Sequence, residues 1–319
     1  MPELTIIVVN YRTGGLTVDC LASIMADPLL PAATRVLVVD GASADGSSEL
    51  IAAAIADNGW GETVAFVDLP QNGGFAYGNN RAIEAADALW GVAPAYLLLN
   101  PDTIVRPGAI GALVRFMDDH PGAGIVGSSL EDPDGTRQAC SFRFPTAISE
   151  FESEARVGPI TRLLQRWRVV LLLGDEPSRA DWVSGASMLI RRDVFDQIGW
   201  LDEKYFLYYE ELDFCRRASK VGWHCWSVPQ SRVVHLCGQA TGLSAKGAKP
   251  KRRPAYWFNS RNRYFDLHHG RWGRALADLG WMGGQAVWHF RKFLQRRPNS
   301  DPPFLVRDFL ANRMQRAGK

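Results

Sequence analysis

The chain has 319 residues, 46% hydrophobic and 22% charged, a length and composition that supply a large core, in one big domain or two small ones, and exclude a disordered chain. No run approaches the eighteen or so apolar residues of a membrane helix, and the opening Met1-Pro2-Glu3-Leu4 lacks the basic start of a signal peptide, so a cytoplasmic location is expected. The net charge of +2 conceals an imbalance: residues 246–319 hold 17 Lys/Arg against 4 Asp/Glu, a balance of +13, and the preceding residues hold 19 against 30, a balance of −11.

In chain order, Leu4 to Val9 is a fully apolar, β-branched run that ends in Asn10-Tyr11, and a helix from about Leu16 to Met25 follows. Arg35 to Val39 repeats the pattern and ends in Asp40, before the turn-rich Gly41 to Ser47 and a helix over Ser48 to Ala56. Thr63 to Val67 is a third strand. Gln71-Asn72-Gly73-Gly74-Phe75-Ala76-Tyr77-Gly78-Asn79-Asn80 then leads into a helix reaching about Leu89, and Tyr96 to Leu99 is a fourth strand that stops at Asn100-Pro101-Asp102. Strands alternating with helices at this spacing imply βαβ units and a mostly parallel sheet with helices on both faces. In such a sheet ligands bind beyond the carboxyl ends of the strands. Asn10, Asp40, the Asn72 loop and Asp102 therefore converge on one crevice. Taken alone, Asp102 is as readily a turn former, and the Asn72 to Asn80 loop as readily a helix cap.

The first strand is not followed by G-x-G-x-x-G, and no Walker lysine pattern occurs. That leaves a nucleotide site in which acidic residues hold a divalent cation against phosphates, with Asp102 as its ligand. Glu131 to Gly135 reads as a turn in a hairpin, where mixed or antiparallel strands begin. Arg162 to Leu173 is expected as an amphipathic helix and Gly174 to Ser178 as a surface loop. Trp182 to Arg192 reads as one strand whose small residues, Gly185 among them, let a ligand or a second backbone approach closely.

The second acidic segment runs from Leu201 to Arg217, where aromatic residues lead into Glu210-Glu211-Leu212-Asp213 at the head of a helix. Asp213 with Arg217 is a structural i, i+4 pair. Glu210 and Glu211 point in different directions, so one serves the helix surface. The other, set among Tyr205, Phe206, Tyr208 and Tyr209, is partly desolvated, which raises its pKa and suits it to accept a proton. His235 ends a later strand and is either a core residue or a further metal ligand. Cys20, Cys140, Cys215, Cys225 and Cys237 form no CxxC pair and read as reduced thiols. Beyond them, Lys249 to Pro254 is a basic boundary, and Tyr256 to Leu267 and Arg274 to Leu294 read as two helices carrying Trp257, Trp272, Trp281 and Trp288. Those aromatics either face an anionic membrane surface or pack on the rest of the chain.

In their order, Val8-Val9-Asn10-Tyr11, Val38-Val39-Asp40-Gly41-Ala42-Ser43, Asn72-Gly73-Gly74-Phe75-Ala76, Asn100-Pro101-Asp102, Gly185-Ala186, Glu210-Glu211-Leu212-Asp213 and His235 resemble the family 2 glycosyltransferases of GT-A fold. Gln138 to Pro145 and Ser260-Arg261 are similar to the bacterial rhamnosyltransferase-like branch, and the resemblance covers about residues 4 to 270. It implies an α/β GT-A catalytic domain over 1–245, with a nucleotide half to about 105 and an acceptor half beyond, followed by a helical extension over 246–319. It further implies an inverting transfer from a nucleotide-diphosphate sugar, dTDP-rhamnose or a UDP-sugar, to a glycan or polyprenyl-diphosphate-linked acceptor of cell-surface polysaccharide synthesis. Asp40, with Asn10 and Tyr11, would bind the base; Asn72, Gly73, Gly74, Asn79, Asn100 and Gly185 would line the donor pocket. Asp102 would hold Mg²⁺ or Mn²⁺, with His235 as a further ligand, and Glu211 would be the catalytic base with Glu210 beside it. Two residues depart from the family pattern: Asn100 stands where D-x-D has its first acid, and Glu211 is one methylene longer than the usual aspartate. The enzyme would sit peripherally on the inner face of the membrane. A sugar nucleotidyltransferase is the rival reading, but it would need a lysine-bearing glycine loop after the first strand; a basic-tailed nucleic-acid binder is the other rival, and no nucleic-acid partner is expected.

Overall fold

Strand and helix alternate from the first residues of the computed structural model, which describes residues 1–172, 174–236, 250–296 and 299–317. The opening elements are β1 (Leu4–Asn10), α1 (Gly14–Met25), β2 (Thr34–Asp40), α2 (Ser47–Asp57), β3 (Val64–Asp68), α3 (Gly74–Trp90) and β4 (Ala95–Leu99). β1 pairs with β2 and β4, and β2 with β3, all in parallel. Their side chains alternate between two covered faces. Ile6, Val8, Leu97 and Leu99 pack with Leu21 and Ile24 of α1 and Ile51 of α2. Ile7, Leu37 and Leu98 pack with Ile83 and Ala86 of α3. Burial on both faces explains why these strands read as unbroken apolar runs rather than as alternating ones.

The chain continues through β5 (Thr103–Val105), α4 (Ala109–Asp119), β6 (Ala123–Glu131), β7 (Ser141–Phe142), α5 (Ala147–Ala155), α6 (Gly158–Leu163), β8 (Ser178–Ala180), β9 (Trp182–Val183), β10 (Ser187–Arg191), α7 (Arg192–Ile198), α8 (Glu210–Lys220) and β11 (His224–His235). The main sheet has the order β3-β2-β1-β4-β10-β6-β11-β5, with β8 also on β11. β10 runs antiparallel between β4 and β6, whereas β6 and β11 are parallel. The parallel half therefore meets the mixed half at β4, whose end carries Asn100 and Asp102. The acidic turn expected near residue 131 is present, closed by Asp132 N–H to Thr136 O and by Gly135 at φ 84°.

Two sequence expectations are corrected. The helix expected over Arg162–Leu173 is only α6, begun by a proline in its first turn, and a 3₁₀ turn at Gln165–Trp167. The following residues are drawn into extended pairing instead, with Arg143 N–H on Val169 O and Leu171 N–H on Ser141 O; Leu173 lies outside the described residues. The strand expected over Trp182–Arg192 is split into β9 and β10 around Ser184–Ala186. The two helices expected over Tyr256–Leu267 and Arg274–Leu294 are both present, as the two arms of α9 (Ala255–Leu294), separated at Gly270, where the non-helical φ 67° and ψ 179° suit only glycine.

The boundary expected at 245/246, and Cys237, Lys246 and Lys249 with it, lie outside the described residues. Beyond that boundary α9 packs closely on α5. A Cβ at Gly280 would sit 2.2 Å from Ala147 O, and one at Gly284 2.6 Å from Phe151 O, so glycine at these two positions sets the interhelical distance. α10 (Leu305–Ala317) closes the end, with Phe309 stacked on Trp281 at 4.0 Å.

Candidate active site

The loops that leave β1, β2, β3, β4 and β9 enclose a cavity of about 550 Å³, completed by the head of α8, by His235 and by Tyr256 at the start of α9. Asn10, Tyr11 and Gly41 form one end, Asn72, Gly73 and Gly74 a side, and Asn100, Asp102 and Gly185 the floor, facing Glu210 and Glu211. The topology thus gathers most of the expected positions. It does not use them all alike.

Asp40 does not line this cavity. Its carboxylate is buried and committed: Oδ1 accepts from Asn10 Nδ2 at 2.6 Å and Ser43 Oγ at 2.6 Å, and Oδ2 accepts from Ser43 N–H at 2.7 Å. Asn10 is equally committed, its Oδ1 accepting from Thr13 N–H and Oγ1 and from Thr17 Oγ1. Both oxygens of Asp40 are thus engaged within the protein, and with Asn10 it fixes the loop that presents Tyr11 and Gly41. Asn79 is also outside the cavity wall, its amide donating to Phe75 O at 2.9 Å. The neighbouring Asn80 exchanges hydrogen bonds with Leu201 through both ends of its amide.

The glycines of the Asn72 loop have a steric reason. At Gly74, φ is +88° and an added Cβ would lie 1.8 Å from Phe206 O, the atom that accepts from Phe75 N–H at 3.0 Å. The loop is thereby clamped to the segment preceding α8. Gly185 sits where a Cβ would press on the Phe75 ring at 3.1 Å and touch Glu211 Cβ at 3.6 Å, so a side chain there would crowd the floor beside the α8 carboxylates.

Asp102 presents a buried Oδ1 that has no hydrogen-bond partner, with His235 Nε2 at 3.5 Å. An unpartnered buried carboxylate oxygen beside an imidazole is costly unless a cation joins it, so this pair fits a divalent ion. Among the described residues no three His, Cys, Asp or Glu side chains gather as a metal cluster. Such an ion would take its remaining oxygens from a ligand, as Mg²⁺ does when it bridges one or two carboxylates and substrate phosphates. Gln138 supports the position, donating to His235 O at 2.8 Å.

Glu210 and Glu211 open α8, directly after Tyr208 and Tyr209, both in the left-handed region at φ 68° and 73°. Two consecutive strained residues turn the chain so that both carboxylates face inward. Neither serves the helix surface, which corrects the sequence expectation. Each has an Oε2 that is buried and unpartnered. Burial pushes both carboxyls up, Glu211 to about 7, and Glu210 well above the usual range through its neighbour's like charge as well. Asp213 is structural as expected, held by Arg217 Nε at 2.8 Å and by His268 Nε2 at 2.7 Å.

Phe206, one of the aromatics expected beside the carboxylates, and Tyr256, which the sequence reading did not single out, are both wall residues. Their rings lie 5.3 Å apart, and Tyr256 also stacks near Tyr208 at 6.2 Å. No local signal marks Tyr256, because 45 residues separate it from Glu211. Ser260 Oγ donates to Leu207 O at 3.1 Å, and the buried Arg261 reaches Glu150 and Asp278 at 2.8 and 2.7 Å; these bonds seat α9 against the site.

The sheet order and the crevice define the class: a nucleotide-site α/β enzyme with acids on both walls. A family model described as Glycosyltransferase like family 2 matches residues 2–263, and the chain belongs to that family: it is a glycosyltransferase of GT-A fold. It is 29% identical over 293 residues, 87% of this chain and 88% of the relative, to the N-acetylglucosaminyl-diphospho-decaprenol L-rhamnosyltransferase of Mycobacterium tuberculosis. It is 24% identical over 175 residues, 54% of this chain and 64% of the relative, to rhamnosyltransferase WbbL of Escherichia coli. In fold it is similar to the mannosyltransferase PcManGT of Pyrobaculum calidifontis, solved with GDP-Man and Mn²⁺, at a TM-score of 0.57 and 16% identity over 100% of this chain and 81% of that one.

Proposed function

We propose that the enzyme transfers a sugar, L-rhamnose from a dTDP donor in the first instance, to a lipid-linked diphosphate sugar, with inversion at the anomeric carbon. The observation that carries this reading is that Asp102 and Glu211 line one cavity, each with a buried carboxylate oxygen left without a partner. The relatives' names support the sugar and the acceptor.

The base would lie against Tyr11 and Gly41, and the diphosphate over Asn100 and Asp102. Asp102 with His235 would hold Mg²⁺ or Mn²⁺, which when bound offsets the charge growing on the departing nucleoside diphosphate. Asn100 in place of a first acid leaves that site with one carboxylate, so the donor's own phosphates are needed to complete it. Glu211 takes the proton from the acceptor hydroxyl as that oxygen attacks the anomeric carbon from the side opposite the diphosphate. Glu210, more strongly raised, keeps its proton and leaves the negative charge on Glu211. The aromatic wall of Phe206, Tyr208 and Tyr256 would stack on the acceptor sugar and exclude water.

Incubating the protein with dTDP-, UDP- and GDP-sugars, Mn²⁺ or Mg²⁺ and a short-chain polyprenyl-diphosphate N-acetylglucosamine tests this reading. Release of dTDP coupled to an inverted glycosidic product is expected. Release of another nucleotide would replace the donor, and pyrophosphate release would replace the reaction.

A further inference from the structure

The C-terminal half of α9 has two unlike faces. One is fully engaged, through Gly280 and Gly284 on α5, Trp281 on Phe309, and Trp288, whose Nε1 donates to Asp301 at 3.0 Å. The other carries Trp272, Leu276, Leu279, Phe290 and Phe293, which are 85%, 58%, 58%, 66% and 80% exposed. Intervals of four, three, eleven and three residues place all five within about 100° of helical arc, along about 30 Å of axis. Five large apolar side chains aligned and exposed on one helix are far from the scattered apolar residues of an ordinary surface.

Charge decides what covers them. Across residues 271–296 the single acid is Asp278; of the basic side chains Arg274 is ion-paired with Asp266 and Lys292 with Asp301, and Arg271, Arg291 and Arg296 are the cations that flank the stripe. Asp278 is buried on the engaged side, bonded to Arg261 and 3.7 Å from Arg313. A second copy laid on this stripe would bring cations against cations on its rims, which disfavours self-association. An anionic lipid surface complements it on both counts: acyl chains for the aromatic and leucine side chains, headgroups for the flanking arginines. No helix among the described residues is long and apolar enough to cross a membrane, so the fitting geometry is a helix lying in the interface.

We infer that the stripe Trp272–Phe293 of α9 is a membrane-docking face that rests on anionic phospholipid. Because α9 begins with Tyr256 in the cavity wall and Ser260 bonded to Leu207, docking this helix fixes the orientation of the active site relative to the bilayer. The inference does not depend on which acceptor the enzyme uses.

The test is co-sedimentation of the full chain with phosphatidylcholine vesicles and with mixed phosphatidylcholine–phosphatidylglycerol vesicles, at low and high salt, without donor or acceptor. Binding to the mixed vesicles, weaker at high salt, is expected. The double variant Trp272→Glu/Phe290→Glu is expected to lower partitioning at least about tenfold through loss of two apolar anchors, while Leu89→Glu on α3, 56% exposed, leaves it unchanged. Both substituted residues are exposed, and retained sugar transfer to a detergent-dispersed acceptor would confirm an intact fold. No vesicle binding by the unsubstituted chain, or binding indifferent to the double substitution, overturns the inference. Sedimentation velocity showing a dimer that the double variant dissolves also overturns it, and assigns the stripe to a second copy.

Discussion

The two sides of the cleft treat their carboxylates in opposite ways. Behind the cavity, at the ends of the parallel strands, Asp40 accepts three hydrogen bonds and both of its oxygens are engaged. Across the cleft, Glu210 and Glu211 each keep a buried oxygen without a hydrogen-bond partner, and so does Asp102 on the floor. A buried polar group without a partner costs about 1–3 kcal/mol, more when charged, so a fold keeps such groups where a ligand supplies what is missing. Position at a strand end is therefore a poor sign of function; an unmet hydrogen-bonding requirement is a better one.

The comparison can be broken most directly at Glu211. Glu211→Gln is expected to slow sugar transfer by about 10²- to 10⁴-fold, with nucleotide binding by calorimetry unchanged; near-normal turnover would move the base to Glu210. Asp102→Asn is next, raising the metal concentration needed for half-maximal activity at least roughly tenfold while leaving the urea midpoint in place. Asp40→Ala should do the reverse. It strands the amide of Asn10 and the Ser43 donors, so unfolding in urea should show a loss of about 1–3 kcal/mol, with the metal requirement unmoved.

The smallest effect sharpens the carboxylate pair. A base must be ionised to act, and burial places the Glu211 carboxyl at about 7, so the transfer rate should fall as pH drops through that value and level off above it. Glu210→Gln exchanges a carboxyl that keeps its proton for a neutral amide and should leave this acid limb in place, measured as kcat against pH. A limb that moves to lower pH would mean that Glu210 carries charge while Glu211 titrates.

Much of this was legible in the sequence, because the information was local. Apolar runs covered on both faces announced the parallel strands, and the order of Asn10, Asp40, Asn72, Asp102, Gly185, Glu211 and His235 carried the family. The acidic pair after an aromatic run was visible as well. What the sequence could not reveal was how hydrogen bonds are apportioned. Asp40 and Asp102 are both aspartates at the ends of buried parallel strands, and only the placement of Ser43 and Asn10 around one of them separates the carboxylate with both oxygens hydrogen-bonded from the one with an unpartnered oxygen.

The C-terminal aromatics divide in the same manner. Trp272, Trp281 and Trp288 have the same side chain on one helix, yet Trp281 and Trp288 are buried and Trp272 is exposed. Their number and the basic balance around them follow from the amino-acid order alone. Which of them face α5 and α10, and that Tyr256 reaches the cavity, was decided by the kink at Gly270 and the close approach at Gly280 and Gly284. Those contacts join residues more than a hundred positions apart, and no periodicity within a single helix encodes which side its neighbours will take.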